Sequence, residues 1–368
     1  MSLLWPQSEA KIVADGPALH ALIIGAGDYP HLPGGSGPLA RDDLGLSQVT
    51  TPPVTAKKIA EWFTGSYKNP ACPLGSVEVL LSPAQKVGQK KIDRASMTNI
   101  EKSFDKWDKR CGSSKENVAV FYFCGHGLNK VAQFLLPDDF GDPALPDEWE
   151  NCIDFDGMRL GMRACKAQTQ VYFVDACRET MFGALTHVGV QGKRLKSAHI
   201  SDKVATSAAY FATTQGNQAF GPPGEVTYFG QALLKCLNGA GTAISNGKWL
   251  VDTYKLSEAL GKVMEHLGKL SGEFLIADPQ PGGLKAVLHE SQEPCVITYV
   301  TADKTATIEL SSGTDVRMRP ADQDTPLVEE VPPGMWQLKV TSPNGEFAPF
   351  QEPAFLSPPY FDRSVSLP

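Results

Sequence analysis

Up to about residue 290 the chain switches repeatedly between short apolar runs and longer stretches with helical spacing. HALIIGAG (20–27) is an apolar run broken by glycine, the pattern of a strand buried on both faces. PPVTAKKIAEWF (52–63) sets Ile59, Ala60 and Phe63 on one helical face behind two prolines, and SVEVLLS (76–82) returns to a strand. The same alternation continues in ASMTNIEKSFDKWDKRC (95–111), where Met97, Ile100, Phe104 and Trp107 share a face, and in NVAVFYFCGHG (117–127), an apolar strand with a glycine-bracketed tip. A helix over 155–167 with Met158, Met162 and Cys165 in line leads into the strand QVYFVDAC (170–177), and further units follow at 206–214, 228–237 and 251–268. Such alternation predicts an α/β fold: a mostly parallel sheet covered by helices on both faces, with ligands bound beyond the carboxyl ends of its strands.

From residue 292 the period changes. CVITYV, TATIELS, DVRMRP, PLVEEV and MWQLKVT are short strands separated by Gly, Pro, Asp and Asn, which predicts a small β-sandwich. The expected organisation is an N-terminal extension (1–17), an α/β domain (18–290) and an all-β domain (291–368).

The formal net charge of −7 and the lack of any Lys/Arg block remove the electrostatic footprint of a nucleic-acid binder, so nucleic acid is not expected as a partner. No stretch approaches the roughly 18 apolar residues of a membrane span, and the first twenty residues do not read as an export signal. We expect a cytoplasmic protein with no membrane partner. The eight cysteines (72, 111, 124, 152, 165, 177, 236 and 295) are scattered without a CxxC pair or Cys/His ligand spacing, so neither a metal site nor a disulfide framework is expected, and a reducing compartment suits them.

Two polar residues sit where an α/β sheet presents its chemistry. His126 and Cys177 each follow an apolar strand, and each stands among glycine or small residues. A cysteine attacks an acyl carbon only as a thiolate, so it needs a base, and the developing oxyanion needs donors. Cys177 as nucleophile, His126 as base and the backbone N–H groups of Gly127 and Cys177 as an oxyanion hole would supply all of this. Taken singly, a cysteine at a strand end is more often packing and a histidine more often structural. GAGDYP lacks the third glycine and immediate helix of a dinucleotide fingerprint, and GGSGP misses the nucleophile elbow of serine hydrolases.

FYFCGHG and YFVDACR resemble the two motifs of caspase-like cysteine peptidases (peptidase C14, with bacterial and metacaspase-like members). The separation of 51 residues between His126 and Cys177 is near the roughly 50 of caspases. The resemblance covers residues 18–290, including ALIIGAGDYPHLPG, and implies a six-stranded, mostly parallel sheet between helices. It also implies a hydrolase that needs no cofactor.

Asp175 stands where vertebrate caspases carry Gln and metacaspases carry Asp, so the resemblance implies an S1 pocket for Arg or Lys. The alternative is an aspartate that caps a helix or holds local backbone. The second acid of the metacaspase S1 pocket has no counterpart at TTPPV (51–55); Asp28, Asp42 and Asp43 are the nearby acids, and Asp28 is the S1 candidate among them. Calcium dependence is left open, since PDDFGD (137–142) has carboxylates but no EF-hand pattern.

Residues 182–207 form a polar linker holding Lys193, Arg194 and Lys196, which are candidate self-processing sites if S1 takes basic residues; an ordinary solvated loop is the alternative. By resemblance, partners would be a protein substrate such as a gasdermin-like pore former or another regulator, together with an upstream activator, in bacterial defence or regulated cell death. The competing reading is a catalytically silent caspase-like scaffold that binds partners.

Overall fold

The structure, a computed structural model, describes residues 2–12, 16–130, 132–179, 192–197, 204–219 and 221–366. Its main sheet has seven strands: β1 (Leu3–Trp5), β2 (Leu19–Ala26), β3 (Leu74–Ser82), β4 (Val118–Gly125), β5 (Thr169–Ala176), β6 (Thr206–Phe211) and β7 (Asp278–Gln280). The order across the sheet is β1-β3-β2-β4-β5-β6-β7. The five central strands are parallel, and β1 and β7 pair antiparallel at the two edges. The mostly parallel α/β sheet is thus as expected, with one strand more than six. The two edge strands, β1 and β7, are not among the strands the apolar pattern names; each has three residues, too few to show a period, and β1 lies in the stretch expected as an extension.

Helices α1 (Thr51–Gly65), α2 (Met97–Cys111), α3 (Phe155–Gly161) and α4 (Tyr228–Lys235) separate these strands in the chain. The apolar face of α2 (Met97, Ile100, Phe104, Trp107 and Cys111) is buried in one cluster with Leu22, Ile24, Leu80, Phe121, Phe123, Tyr172 and Val174 of the sheet. The indole N–H of Trp107 finds a partner in this interior, donating to the carbonyl of His20 at 2.9 Å. Glu78 on β3 is fully buried and its ionic partner is Arg110 of α2. Arg110→Ala would strand that carboxylate and is expected to lower stability by about 3 kcal/mol or more at pH 7, measured by urea denaturation; a change within about 0.5 kcal/mol would contradict the pairing. The expected helix over 155–167 ends at Gly161 and passes into a tight turn over Met162–Ala164, yet Met158, Met162 and Cys165 are buried as their spacing predicts.

A small antiparallel sheet follows β4, made of Gly127–Asn129, Gln133–Leu135 and Ile153–Asp154. These strands of two or three residues left no period in the sequence, and they prove to frame the site.

By compactness the chain divides into two units, Met1–Gln231 with Phe274–Ala286, and Ala232–Glu273 with Val287–Pro368. The second contains α5 (Thr253–Ser271), capped by the Asp252 side chain at its start and by Gly272 with φ of 76° at its end. It also contains strands β8 (Val296–Thr301), β9 (Thr307–Ser312), β10 (Asp315–Arg319), β11 (Leu327–Val331), β12 (Gly334–Thr341), β13 (Phe350–Leu356) and β14 (Tyr360–Ser364). They form sheets β11-β8-β14 and β10-β9-β12-β13 around a core that includes Val296, Val300, Ile308, Leu310, Trp336, Leu338 and Leu356. The last two strands were not expected because Pro353, Pro358 and Pro359 argue against a strand.

Candidate active site

The ladder between β4 and β5 ends with the pairs Asp175–Cys124 and Ala176–Gly125. His126 and Cys177 are the next residue on each strand, so they leave the sheet side by side from strands about 4.8 Å apart. The β2–α1 loop fixes the histidine at two points. Its backbone N–H donates to the Tyr29 hydroxyl at 2.9 Å, and that hydroxyl in turn donates to the Leu136 carbonyl at 3.1 Å. Its Nε2 lies 2.6 Å from the Ser47 carbonyl oxygen. A carbonyl only accepts, so Nε2 carries the proton and Nδ1 keeps the lone pair of the neutral ring. The loop is itself clamped, since Gln48 accepts from the Tyr29 N–H and donates to the Tyr29 carbonyl, both at 2.8 Å. Burial pushes the imidazole pKa down, against the bond to Ser47.

Cys177 is partly buried, and the Ala219 N–H donates to its Sγ at 3.3 Å. The segment carrying Ala219 is tied to the residue after the nucleophile: Arg178 N–H donates to Asn217 O at 3.0 Å and Gly216 N–H to Arg178 O at 2.9 Å. Burial pushes the Cys177 thiol up, the Ala219 amide opposes this, and the carboxylates of Glu179 and Asp175 add to the rise. Both directions favour the uncharged forms, a thiol at Cys177 and a neutral imidazole at His126.

Gly127 lies against the nucleophile's loop. A Cβ there would stand 2.7 Å from the Cys177 carbonyl oxygen and 2.8 Å from the Ala176 Cβ, so only glycine fits. The two backbones expected to form an oxyanion hole are thus in contact.

A family model for the caspase domain matches residues 18–301. The chain belongs to the caspase domain family. Members of this family are cysteine peptidases. The chain is 30% identical over 234 residues to the uncharacterized protein y4kE of Sinorhizobium fredii, which covers 57% of this chain and 67% of that one. Caspase-1 from Spodoptera frugiperda aligns over 79% of this chain and 99% of its own at TM-score 0.45 and 13% identity. For pro-sf-caspase-1 the figures are 76%, 95%, 0.40 and 14%.

In this caspase domain Asp175 is 2% exposed on β5. Its Oδ2 accepts from the Tyr122 hydroxyl at 2.8 Å and from the Thr227 hydroxyl at 2.5 Å. Its Oδ1 is buried with no hydrogen-bond partner among the described residues. Burial pushes this carboxyl up to about 6, against the bonds from Thr227 and Tyr122 and a further one from the Cys124 thiol. Thr227 is held in turn, its N–H donating to Thr55 Oγ1 of α1 while its hydroxyl oxygen accepts from Gly230 N–H.

Asp28 is placed differently. Its carboxylate is paired with Arg94 at 2.7 Å, and Arg94 also holds the buried Asp138 at 2.8 Å, which is bonded to Ser82. Asp28 is not among the groups bonded to Asp175. Asp42 and Asp43 accept from the backbone N–H groups of Leu44 and Gly45 within a turn. Of the acids in PDDFGD, Asp139 accepts from Met97 N–H at the start of α2 and Asp142 from Ala144 N–H. No group of three or more His, Cys, Asp or Glu is placed to hold a metal ion among the described residues, and among the same residues no helix is long and apolar enough to cross a membrane.

Within the expected processing linker, residues 182–191 and 198–203 lie outside the described residues, while Lys193, Arg194 and Lys196 lie inside. The three basic residues do not hang free. Lys193 bridges to Ile153 in parallel, its N–H donating to Cys152 O at 2.7 Å. Lys193, Arg194 and Lys196 pair with Glu101, Asp154 and Asp108 at 2.8, 2.9 and 2.5 Å. Gly157 and Gly161, one turn apart on α3, leave room for this strap: a Cβ on the first would stand 2.7 Å from Arg194 Nε, and on the second 2.1 Å from Lys196 O. Leu195 between them packs against the main core.

Reading residues in isolation missed Tyr29, Ser47, Gln133, Tyr122 and Thr227. A backbone carbonyl such as that of Ser47 leaves no mark in a sequence. The glycine-rich loop between β2 and α1 was the one available signal, because its length is unusual for a βα connection.

Proposed function

We propose that this chain is a cysteine endopeptidase that cuts after arginine or lysine. The observation that carries the proposal is the exit of His126 and Cys177 from neighbouring strands, with His126 Nε2–H committed to Ser47 so that Nδ1 is the free base. His126 takes the thiol proton as Sγ bonds to the scissile carbon, and the carbonyl electron pair moves onto oxygen, facing the N–H groups of Gly127 and Cys177. The oxyanion collapses, the C–N bond breaks, and His126 returns the proton to the leaving amine. A water deprotonated by His126 then releases the acyl group and restores the thiol.

The basic preference draws on Asp175, whose unpartnered Oδ1 is a buried acceptor that a guanidinium or ammonium would satisfy. Fluorogenic peptides ending in Arg, Lys or Asp, given to wild type and Cys177→Ala with and without calcium, test the proposal. Turnover of the Arg and Lys peptides that needs Cys177 is expected, and preference for Asp would overturn the S1 assignment. The silent-scaffold reading draws on the Ala219 segment bonded over Sγ; it would stand if no peptide turned over and no active-site reagent reached Cys177.

Self-processing, in the same reading, falls on the docked strap. Of the three candidate residues Arg194 has the most exposed side chain, at 63%, while Lys196 is held at 20% by Asp108. A peptidase needs its substrate extended and free, so cutting requires the strap to leave its groove. In a Cys177→Ala background, Asp108→Asn is expected to speed native-state trypsin cleavage at residues 193–196 by about five- to tenfold, read by intact mass. An unchanged rate would mean that the ion pair does not secure the strap.

A further inference from the structure

We propose that Gln133 is a positioning residue for the nucleophile, a role that rests on the peptidase reading of the same site. Gln133 is 1% exposed and opens the short strand Gln133–Leu135 beside Gly127–Asn129. Its side-chain Nε2 donates to the Cys177 carbonyl at 3.0 Å and to the Phe134 carbonyl at 3.3 Å. Both partners only accept, so the amide has one orientation, with both N–H bonds spent. Its Oε1 is buried with no partner among the described residues, and its backbone N–H is tied to Asp156 at 2.9 Å.

The path of this amide explains Gly127. A Cβ on Gly127 would stand 3.0 Å from Gln133 Nε2 and 2.7 Å from the Cys177 oxygen, in the way of the bond between them. The missing side chain is what lets Gln133 reach the nucleophile's loop. The neighbouring strand, which carries Gly127, holds that loop at a second point, with Asn129 N–H donating to Glu179 O at 3.0 Å. Fixing the Cys177 carbonyl fixes rotation of the peptide that follows the nucleophile. It thereby holds the backbone of Cys177, from which the thiol projects, against the strand that carries Gly127. A buried acceptor left unpaired at Oε1 is a cost to the fold.

The role predicts that stability and catalysis separate. Gln133→Met keeps the length of the side chain; relief of the unpaired acceptor offsets the donor lost to the Cys177 and Phe134 carbonyls, so the melting temperature is expected to stay near that of wild type. With an Arg peptide, kcat is expected to fall about 10- to 100-fold at unchanged KM, because misplacement at a reacting centre slows the chemical step more than binding. Amide hydrogen exchange across Gly127 and Cys177–Glu179 is expected to speed up in the same variant, a readout that needs no turnover. If the methionine variant folds poorly, Gln133→Glu, which lacks the amide donors, serves in both measurements. Faster exchange in a chain whose wild type never cleaves would keep the positioning and sink the peptidase reading. Exchange and kcat both within twofold of wild type, or a loss of kcat that follows a loss of melting temperature, would overturn the positioning itself.

Discussion

Replacing His126 with alanine is expected to lower kcat/KM for Arg peptides by about 10²- to 10⁴-fold at pH 7. The size follows from the state of the pair. Burial keeps the Cys177 thiol above its ordinary pKa and the imidazole below its own, so the cysteine holds its proton until a base removes it. His126 is the base its neighbours prepare, with Ser47 occupying Nε2. The variant must wait for hydroxide instead, and its deficit should shrink steadily as pH rises from 7 toward 9.5. A pH series of kcat/KM for both proteins checks this. A deficit below about threefold, or one that does not change with pH, would remove His126 from the role of base.

Asp175→Asn is expected to lower kcat/KM for Arg and Lys peptides by about 10²- to 10³-fold. The loss comes from pairing a buried cation with a neutral amide. In wild type the same measurement should fall as pH drops through about 6, where burial places this carboxyl, because the protonated acid cannot pair with the substrate. The variant should lack that limb. Stability moves the other way. The native carboxyl at about 6 holds its proton more tightly than the unfolded one near 3.8, so the native state loses stability as pH rises between the two values. The cost is absent below that window and complete above it, where it amounts to about 3 kcal/mol. At pH 8 the asparagine variant should therefore melt no lower than wild type while cleaving far more slowly. A variant that melts lower and keeps its Arg preference would make Asp175 a structural residue, as the alternative reading of the sequence has it.

The α/β order was legible because buried parallel strands such as QVYFVDAC are continuous apolar runs and helices such as α2 keep a strict apolar face. His126 and Cys177 were legible for a related reason, since a polar residue directly after such a run can only stand at the rim of the sheet. What held them was not. Tyr29 and Ser47 reach His126 by hydroxyl and carbonyl across 97 and 79 residues of sequence, Gln48 braces Tyr29 across 19, and loops carry no period to announce them. Asp28, the other S1 candidate, is held by a guanidinium on a distant segment, Arg94, which its place after the first strand does not announce. The strap was read as a polar linker because three basic residues suggest solvent. Their partners Glu101, Asp108 and Asp154 sit far earlier in the chain, and only folding brings the charges together.

The most direct test is covalent labelling by an arginine-based acyloxymethyl ketone, read as intact mass for wild type, Cys177→Ala and Asp175→Asn at pH 8. The predicted result is one adduct per chain in wild type, mapped to Cys177, none in Cys177→Ala, and much slower labelling in Asp175→Asn. An adduct on another cysteine, or equal labelling by a matched aspartate-based ketone, would contradict a Cys177 nucleophile served by an arginine-reading Asp175.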